Sequence, residues 1–97
     1  MLRHIVMISF KDREILEDTS LKTKLMLEHL EITIDPLLNM EVGLNFSTRP
    51  TAYDLVLIAD FENEDGLNHY RDHPEHIEVL DYLRTVIEKT TVVDYTI

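Results

Sequence analysis

Two strand-like stretches of this chain are apolar on both faces, and this constrains the fold more than any other sequence feature. From Asp54 to Phe61 the residues Asp-Leu-Val-Leu-Ile-Ala-Asp-Phe are apolar at consecutive positions, not only at alternate ones. Leu2 to Phe10 is similar, and one of its faces carries Leu2, His4, Val6, Ile8 and Phe10. A strand that is buried on both faces lies in the interior of a sheet that is covered on each side. Both stretches are therefore predicted to be buried strands, and Asp54 to Phe61 to be central in the sheet.

The other elements complete the order β-α-β-β-α-β. Apolar residues recur at helical spacing from Leu21 to about Ile34, and this stripe is formed by Leu16, Thr23, Leu27, Leu30 and Ile34, widened by Leu21, Leu25 and Met26. Asp12 is a candidate helix start, and a restart is expected at Asp18, Thr19 or Ser20. Glu41 to Phe46 alternates as a second strand, in which Gly43 indicates a bulge or a close backbone approach. Thr90 to Ile97 is the last predicted strand.

This order predicts an α+β, ferredoxin-like fold in one domain, residues 1–97, with both helical regions on one face of the sheet. The second sheet face is also apolar, and a chain of 97 residues has no further element to cover it. We therefore expect a homodimer that packs sheet against sheet as an α+β barrel.

The charge balance excludes several classes of partner. Nine Lys and Arg against nineteen Asp and Glu give a net charge of −10, which disfavours nucleic acid and anionic membrane surfaces. There is no cysteine, so disulfide and thiol chemistry are excluded. No signal peptide or apolar stretch of membrane-spanning length is recognised, and a cytoplasmic protein is the default expectation.

The second helical region is predicted to be split in two. Asn63 is a candidate N-cap for a short helix from about Glu64 to Arg71. Pro74 disfavours helical backbone at His73 and is well suited to the first position of a new helix. We expect a break at Asp72-His73, with His73 as a capping residue, and a helix from Pro74 to about Glu88.

His76 falls on the apolar stripe of that last helix, together with Leu80, Leu83 and Ile87. In the first helical turn the dipole disfavours imidazolium, so a neutral ring is expected near pH 7. A neutral, partly buried imidazole is a usable general base. The structural alternative is a hydrogen-bonded core histidine. For His4 we favour a strand-end position near solvent.

A metal site is not predicted. His69, His73 and His76 would approach one another on one continuous helix, but Pro74 interrupts that helix. Without cysteine or a second acidic cluster at ligand spacing, no converging set of metal ligands is apparent.

The chain resembles the stress-responsive α/β-barrel (Dabb) family, of the dimeric α+β barrel superfamily, over almost its whole length. The matching pieces are Arg3-His4-Ile5-Val6, Glu41-Val42-Gly43-Leu44-Asn45, Asp54-Leu55-Val56-Leu57, Phe61, Tyr70-Arg71-Asp72-His73-Pro74-Glu75-His76 and Val93-Asp94-Tyr95. Tyr-x-x-His-Pro-x-His after a strand that ends in Phe is the most specific of these. The resemblance implies the ferredoxin-like fold and the sheet-to-sheet homodimer.

The resemblance also implies candidate site residues. Most members have no assigned reaction, but one plant member, olivetolic acid cyclase, closes a linear polyketide by aldol condensation. Its tyrosine and a histidine six residues later correspond to Tyr70 and His76, and its strand histidine corresponds to His4. A third-strand histidine of the cyclase is Leu55 here, a departure from that pattern. The further candidate substrate contacts are His73, Leu55, Leu80 and Asp94.

Three functional hypotheses remain open. In the first, the protein is a cofactor-free cyclase or isomerase acting on a small carbonyl compound. His76 is then the base, Tyr70 holds the substrate oxygen, and Asp94 or His4 orients the ring. In the second, the protein is a dimer that binds a small apolar ligand without turnover. In the third, the His-Pro-x-His segment only fixes the helix break. The fold of antibiotic-biosynthesis monooxygenases offers a further enzyme alternative by analogy alone. A hollow shared by Tyr70 and His76 separates the first hypothesis from the third.

Overall fold

The computed structural model describes residues 1–97 as a four-stranded sheet with three helices. The elements, in chain order, are β1 (Leu2–Phe10), α1 (Leu16–Thr33), β2 (Asn39–Leu44), β3 (Leu55–Phe61), α2 (Glu64–Asp72), α3 (Pro74–Val86) and β4 (Ile87–Thr96). The strand order is β2-β3-β1-β4, and all neighbouring pairs are antiparallel. The predicted ferredoxin-like α+β fold with a split second helix is confirmed.

The two doubly apolar strands, β1 and β3, occupy the centre of the sheet, which confirms the central position predicted for Asp54 to Phe61. On the helix-facing side of the sheet, β1 and β3 contribute Ile8, Phe10, Leu55, Leu57, Ala59 and Phe61 to the core, each no more than 5% exposed. Leu27, Leu30 and Ile34 of the first helical region pack onto them, with Val79 and Leu83 of α3. No helix of the chain is both long enough and apolar enough to cross a bilayer.

The predicted break between α2 and α3 is confirmed together with its caps. The Asn63 side chain accepts a hydrogen bond from the Gly66 backbone N–H at 3.0 Å and begins α2. His73 has extended backbone before Pro74, and its Nδ1 accepts from the Glu75 N–H at 3.1 Å. Because the backbone at His73 is extended, α2 and α3 are separate helices, and α3 packs against the sheet within a few residues of Tyr70.

Several predicted boundaries were wrong. The first helix is continuous from Leu16 and has no side-chain cap, and Thr19 and Ser20 are buried within it and do not restart it. Leu21 and Leu25 do not widen its buried stripe, since they are 50% and 60% exposed. Phe46 lies beyond β2 and is 98% exposed.

The two remaining differences concern α3 and Gly43. The last helix ends at Val86, two residues earlier than expected, because Ile87 already pairs with Phe10 as the start of β4. The register of β2 is continuous through Gly43, so there is no bulge. The neighbour at Gly43 is a side chain and not a backbone, because a Cβ there would lie 3.2 Å from Val56 Cγ1.

The second face of the sheet has no covering element within the protomer. The centre of this face is formed by three half-buried residues, Ile5, Val56 and Ile58. Toward β4 the face carries Val93 and Tyr95, which are 55% and 40% exposed. A partly exposed apolar sheet face of this kind is typical of an interface.

Candidate functional site

A hollow of about 450 Å³ lies between the helix-facing side of the sheet and the helices. Ten of its fourteen lining residues, Tyr70 among them and Thr90 not, are hydrophobic. The sheet and α1 contribute Val6, Ile8, Leu27, Leu57, Thr90 and Val92, and the α3 side contributes Val79, Leu80, Leu83 and Ile87. The other four are His4, Tyr70, Arg71 and His76. The predicted catalytic residues therefore line one hollow, whose volume falls in the range of small-molecule sites.

Tyr70 stands in the last turn of α2 and is 1% exposed. Its ring packs against Phe61 with a centroid distance of 5.2 Å and against the His76 ring at 4.2 Å. No protein group hydrogen-bonds to its hydroxyl, and the hydroxyl oxygen is not fully enclosed. Burial raises the pKa of the Tyr70 phenol well above its usual value of 10.0, so the phenol stays protonated as a hydrogen-bond donor.

His76 is held in a defined tautomer. Its Nδ1 lies 3.2 Å from the Arg71 carbonyl oxygen, which can only accept a hydrogen bond. Nδ1 therefore carries the proton, and in the neutral ring Nε2 keeps its lone pair. Burial lowers the pKa of His76 below its ordinary value of 6.5, and the nearby His4, Arg71 and His73 lower it further, against the effect of the Arg71 carbonyl. The ring is thus neutral at pH 7, with the properties of a general base.

His4 is buried in the sheet, and the expectation of a solvent-exposed strand end was wrong. It is directly opposite Asp94 in the β1–β4 register, and its Nδ1 is hydrogen-bonded to the Asp94 carboxylate. The second carboxylate oxygen of Asp94 accepts from the Arg71 guanidinium at 3.3 Å. This pairing explains how a polar ring is accommodated among apolar side chains. It also leaves Nε2 as the ring nitrogen of His4 that is free for a ligand.

The four candidate substrate contacts are placed differently. Leu80 lines the hollow. Asp94 does not line it but hydrogen-bonds to His4, and His73 serves as the helix cap described above. Leu55 is 2% exposed, packs in the core and does not line the hollow, whereas Leu57, two residues further along β3, does.

The three clustered histidines do not form a metal-binding group. His69 and His73 have ring centroids 6.4 Å apart, while His76 turns toward Tyr70. No set of three or more His, Cys, Asp or Glu side chains converges as metal ligands would.

Arg71 is the site residue that the sequence reasoning missed. It lines the hollow, its carbonyl fixes His76, and its guanidinium contacts Asp94. Its place directly after Tyr70 was a usable signal, because two consecutive residues in the last turn of a helix can both reach a site at that helix end.

Comparison with known proteins identifies the family. The model of the stress responsive A/B barrel domain (Dabb) matches residues 2–97 of this chain. The chain belongs to this family. No curated protein sequence matches it at a significant level.

Among solved structures, this Dabb-family chain is similar to a dimeric protein of unknown function with a ferredoxin-like fold from Bacteroides fragilis. The two are 28% identical with a TM-score of 0.89, and the match covers 99% of this chain and 95% of the other. The hydroxynitrile lyase from Passiflora edulis is 17% identical with a TM-score of 0.78, covering 99% and 92%. An antibiotic biosynthesis monooxygenase is 16% identical with a TM-score of 0.81, covering 100% and 98%. At these low identities the last two show the shared fold alone.

Proposed function

We propose that this protein is a cofactor-free proton-transfer enzyme that acts on a small, largely apolar carbonyl compound, as a cyclase or an isomerase does. One observation carries the proposal. An imidazole with a free Nε2 and a phenol without a protein partner border the same apolar hollow, with ring centroids 4.2 Å apart.

The proposed base is His76. With Nδ1–H bound to the Arg71 carbonyl, its Nε2 accepts a proton from the carbon next to the substrate carbonyl. A neutral base is needed for this step, and the lowered pKa of His76 supplies one at pH 7.

The proposed hydrogen-bond donor is Tyr70. As the proton leaves, negative charge develops on the substrate oxygen, and the Tyr70 hydroxyl donates a hydrogen bond to it. Such a bond is stronger in an apolar, poorly hydrated site than in water. The ring is fixed between Phe61 and His76, so the hydroxyl needs little reorganisation during the reaction.

The second candidate function is binding of a small apolar ligand without turnover. The observation that favours it is the apolar character of the lining, in which ten of fourteen residues are hydrophobic. It differs from the first in requiring no proton transfer by His76.

The proton-transfer proposal is tested with 3-cyclohexen-1-one, a small apolar ketone, by following exchange of its α-protons with D₂O by ¹H NMR. We expect the protein to accelerate exchange, and His76→Asn to lower this acceleration by about 10²-fold or more. Tyr70→Phe is expected to lower it by a similar factor, about 10². The matched control is His69→Asn, which removes an exposed imidazole outside the hollow and should leave exchange unchanged.

Two results would reject the proton-transfer proposal. The first is exchange of the α-protons that is no faster with the protein than in buffer alone. The second is exchange that is as fast with His76→Asn as with the wild-type protein. Saturable binding of the ketone without accelerated exchange would instead favour the binding function.

We also propose that the protein is a homodimer formed through the second face of the sheet. The dimeric relative from Bacteroides fragilis and the uncovered apolar face around Ile5 and Val93 support this. Sedimentation analysis should give twice the mass of 11.4 kDa, and Ile5→Asp should give a monomer. A monomeric native protein, or a dimer that tolerates Ile5→Asp, would contradict the proposed interface.

A further inference from the structure

We propose that His4 is a third catalytic residue beside His76 and Tyr70, the proton donor that complements His76, and that the site moves a proton between two carbons of one substrate. The substrate class is then a small unsaturated ketone, and the reaction is an isomerisation. This inference rests on the proton-transfer function proposed above.

The first ground is that both imidazoles border the same hollow with the same free nitrogen. Nδ1 of His76 is bound to the Arg71 carbonyl, and Nδ1 of His4 is bound to Asp94. In each ring Nε2 is left for a ligand. A single deprotonation followed by loss of a leaving group would need only one such nitrogen.

The second ground is that the two Nδ1 partners differ in charge. His76 faces a neutral carbonyl, which fixes the tautomer without a full negative charge beside the ring. His4 faces a carboxylate, which accepts its Nδ1–H as the aspartate of a catalytic triad does. Only His4 has an anionic partner on Nδ1, so we assign the acid role to His4 and the base role to His76.

The third ground is that Arg71 contacts both sides of the site, the side of His76 and the side of His4 with Asp94. Arg71 gives its backbone carbonyl to His76 and its guanidinium to Asp94, at 3.2 and 3.3 Å. It is a positioning residue for both imidazoles. Its guanidinium hydrogen-bonds to Asp94 on the His4 side, and its charge also lowers the pKa of His76.

The proposed step balances as follows. Nε2 of neutral His76 takes a proton from the α-carbon, the α C–H bond breaks, and a dienolate forms with its oxygen hydrogen-bonded to Tyr70. The γ-carbon then takes a proton from Nε2–H of the His4 imidazolium, and the carbon–carbon double bond moves into conjugation with the carbonyl. No redox change and no co-reactant are involved. Proton exchange with water restores both rings.

The experiment uses 3-cyclohexen-1-one in D₂O and measures two products in one reaction. Formation of the conjugated enone is followed by ultraviolet absorbance, and deuterium incorporation at the α-carbon is followed by NMR. The ratio of enone formed to deuterium incorporated reports how the dienolate divides between protonation at the γ-carbon, which gives the enone, and protonation at the α-carbon, which returns the starting ketone. The wild-type protein should catalyse both processes.

The variants separate the acid from the base. His4→Asn and Asp94→Asn should each shift the ratio toward α-exchange by roughly tenfold or more, because the forward acid is lost or weakened. Arg71→Met should shift the ratio in the same direction by a smaller factor, since its carbonyl still holds His76. The matched controls His69→Asn and Asp81→Asn lie outside the hollow and should leave the ratio unchanged.

The outcomes distinguish this inference from the proposed function. If exchange depends on His76 but the wild-type forms no enone, or His4→Asn keeps the wild-type ratio, His4 is not the acid and only this inference fails. If exchange does not depend on His76, the proposed function itself fails. Should His4→Asn not fold, as its thermal transition would show, the exposed position of Asp94 makes Asp94→Asn the deciding variant.

Discussion

Replacing Tyr70 by Phe tests whether the Tyr70 hydroxyl contributes to activity or to stability. The ring is buried to 1% exposure and packs on Phe61 and His76, and Phe keeps those contacts. The hydroxyl has no protein hydrogen-bond partner, so its removal leaves no protein group unsatisfied. Tyr70→Phe should therefore change activity strongly and stability hardly at all.

The expected magnitudes follow from these contacts. A protein hydrogen bond contributes about 1 kcal/mol to the free energy of unfolding, so with none to lose we expect a change below ~0.5 kcal/mol. For a chain of this size, 1 kcal/mol shifts the melting temperature by about 4–8 °C, so the shift should stay below roughly 3 °C. Tyr70→Ala removes the ring contacts as well and should cost about 3–5 kcal/mol.

Thermal and urea unfolding at one fixed protein concentration measure these differences, because association would make stability depend on concentration. Tyr82→Phe is the matched control, a hydroxyl deletion on α3 outside the hollow. A loss of 1 kcal/mol or more in Tyr70→Phe, with unchanged α-proton exchange, would show that the hydroxyl is structural and refute the proposed role.

Three further predictions concern titration and stability. Because the pKa of His76 is lowered, kcat/KM for α-proton exchange should fall with decreasing pH only below about 6.5. His76→Asn should abolish this decrease at acid pH. Burial raises the pKa of Asp54, but hydrogen bonds from Arg13 and from the Phe10 N–H outweigh it and lower the net value. The carboxylate thus stabilises the fold above its unfolded pKa near 3.8, and this contribution is lost as pH falls through the lower folded value. In unfolding experiments Arg13→Met should be less stable than wild type at pH 7, and a difference that persists unchanged at acid pH would contradict this. A Cβ at Gly66, in the first turn of α2, meets only ordinary contacts of 3.5 Å or more, so Gly66→Ala should raise the free energy of unfolding by about 0.4–1 kcal/mol. Destabilisation in a urea titration would count against it.

Much of the fold could be predicted because local and global signals agree. The doubly apolar strands had to be central, and Pro74 had to break the second helical region, since both follow from backbone sterics and burial. The same reasoning placed Asn63 and His73 correctly as caps. These signals act over a few residues and do not depend on distant partners.

The errors came where distant partners decide the outcome. Leu21 and Leu25 have the right spacing to widen the buried stripe, but they are 50% and 60% exposed. Ile87 would extend α3 by periodicity alone, yet it pairs with Phe10 across the sheet. The register of β4 cannot be derived from a local sequence pattern.

The site was partly accessible from the sequence. Tyr70 and His76 were placed by resemblance and by helical periodicity, and the structure brings their rings together. The pairing of His4 with Asp94 joins residues ninety positions apart, so only the sheet register reveals it. Arg71 was overlooked because an arginine near a helix end is usually a solvated side chain.

The central claim is that Tyr70, His76 and His4 serve one ligand in one hollow. Titration of the protein with phenol, a planar mimic of the ketone enolate, while the ¹⁵N-labelled imidazoles of all five histidines are followed by NMR, tests it most directly. We predict that the His4 and His76 signals shift together along one binding curve while His29 and His69 stay fixed, and that Nδ1 carries a proton in both rings. Signals of His4 and His76 that respond with different affinities, or not at all, would contradict a shared site.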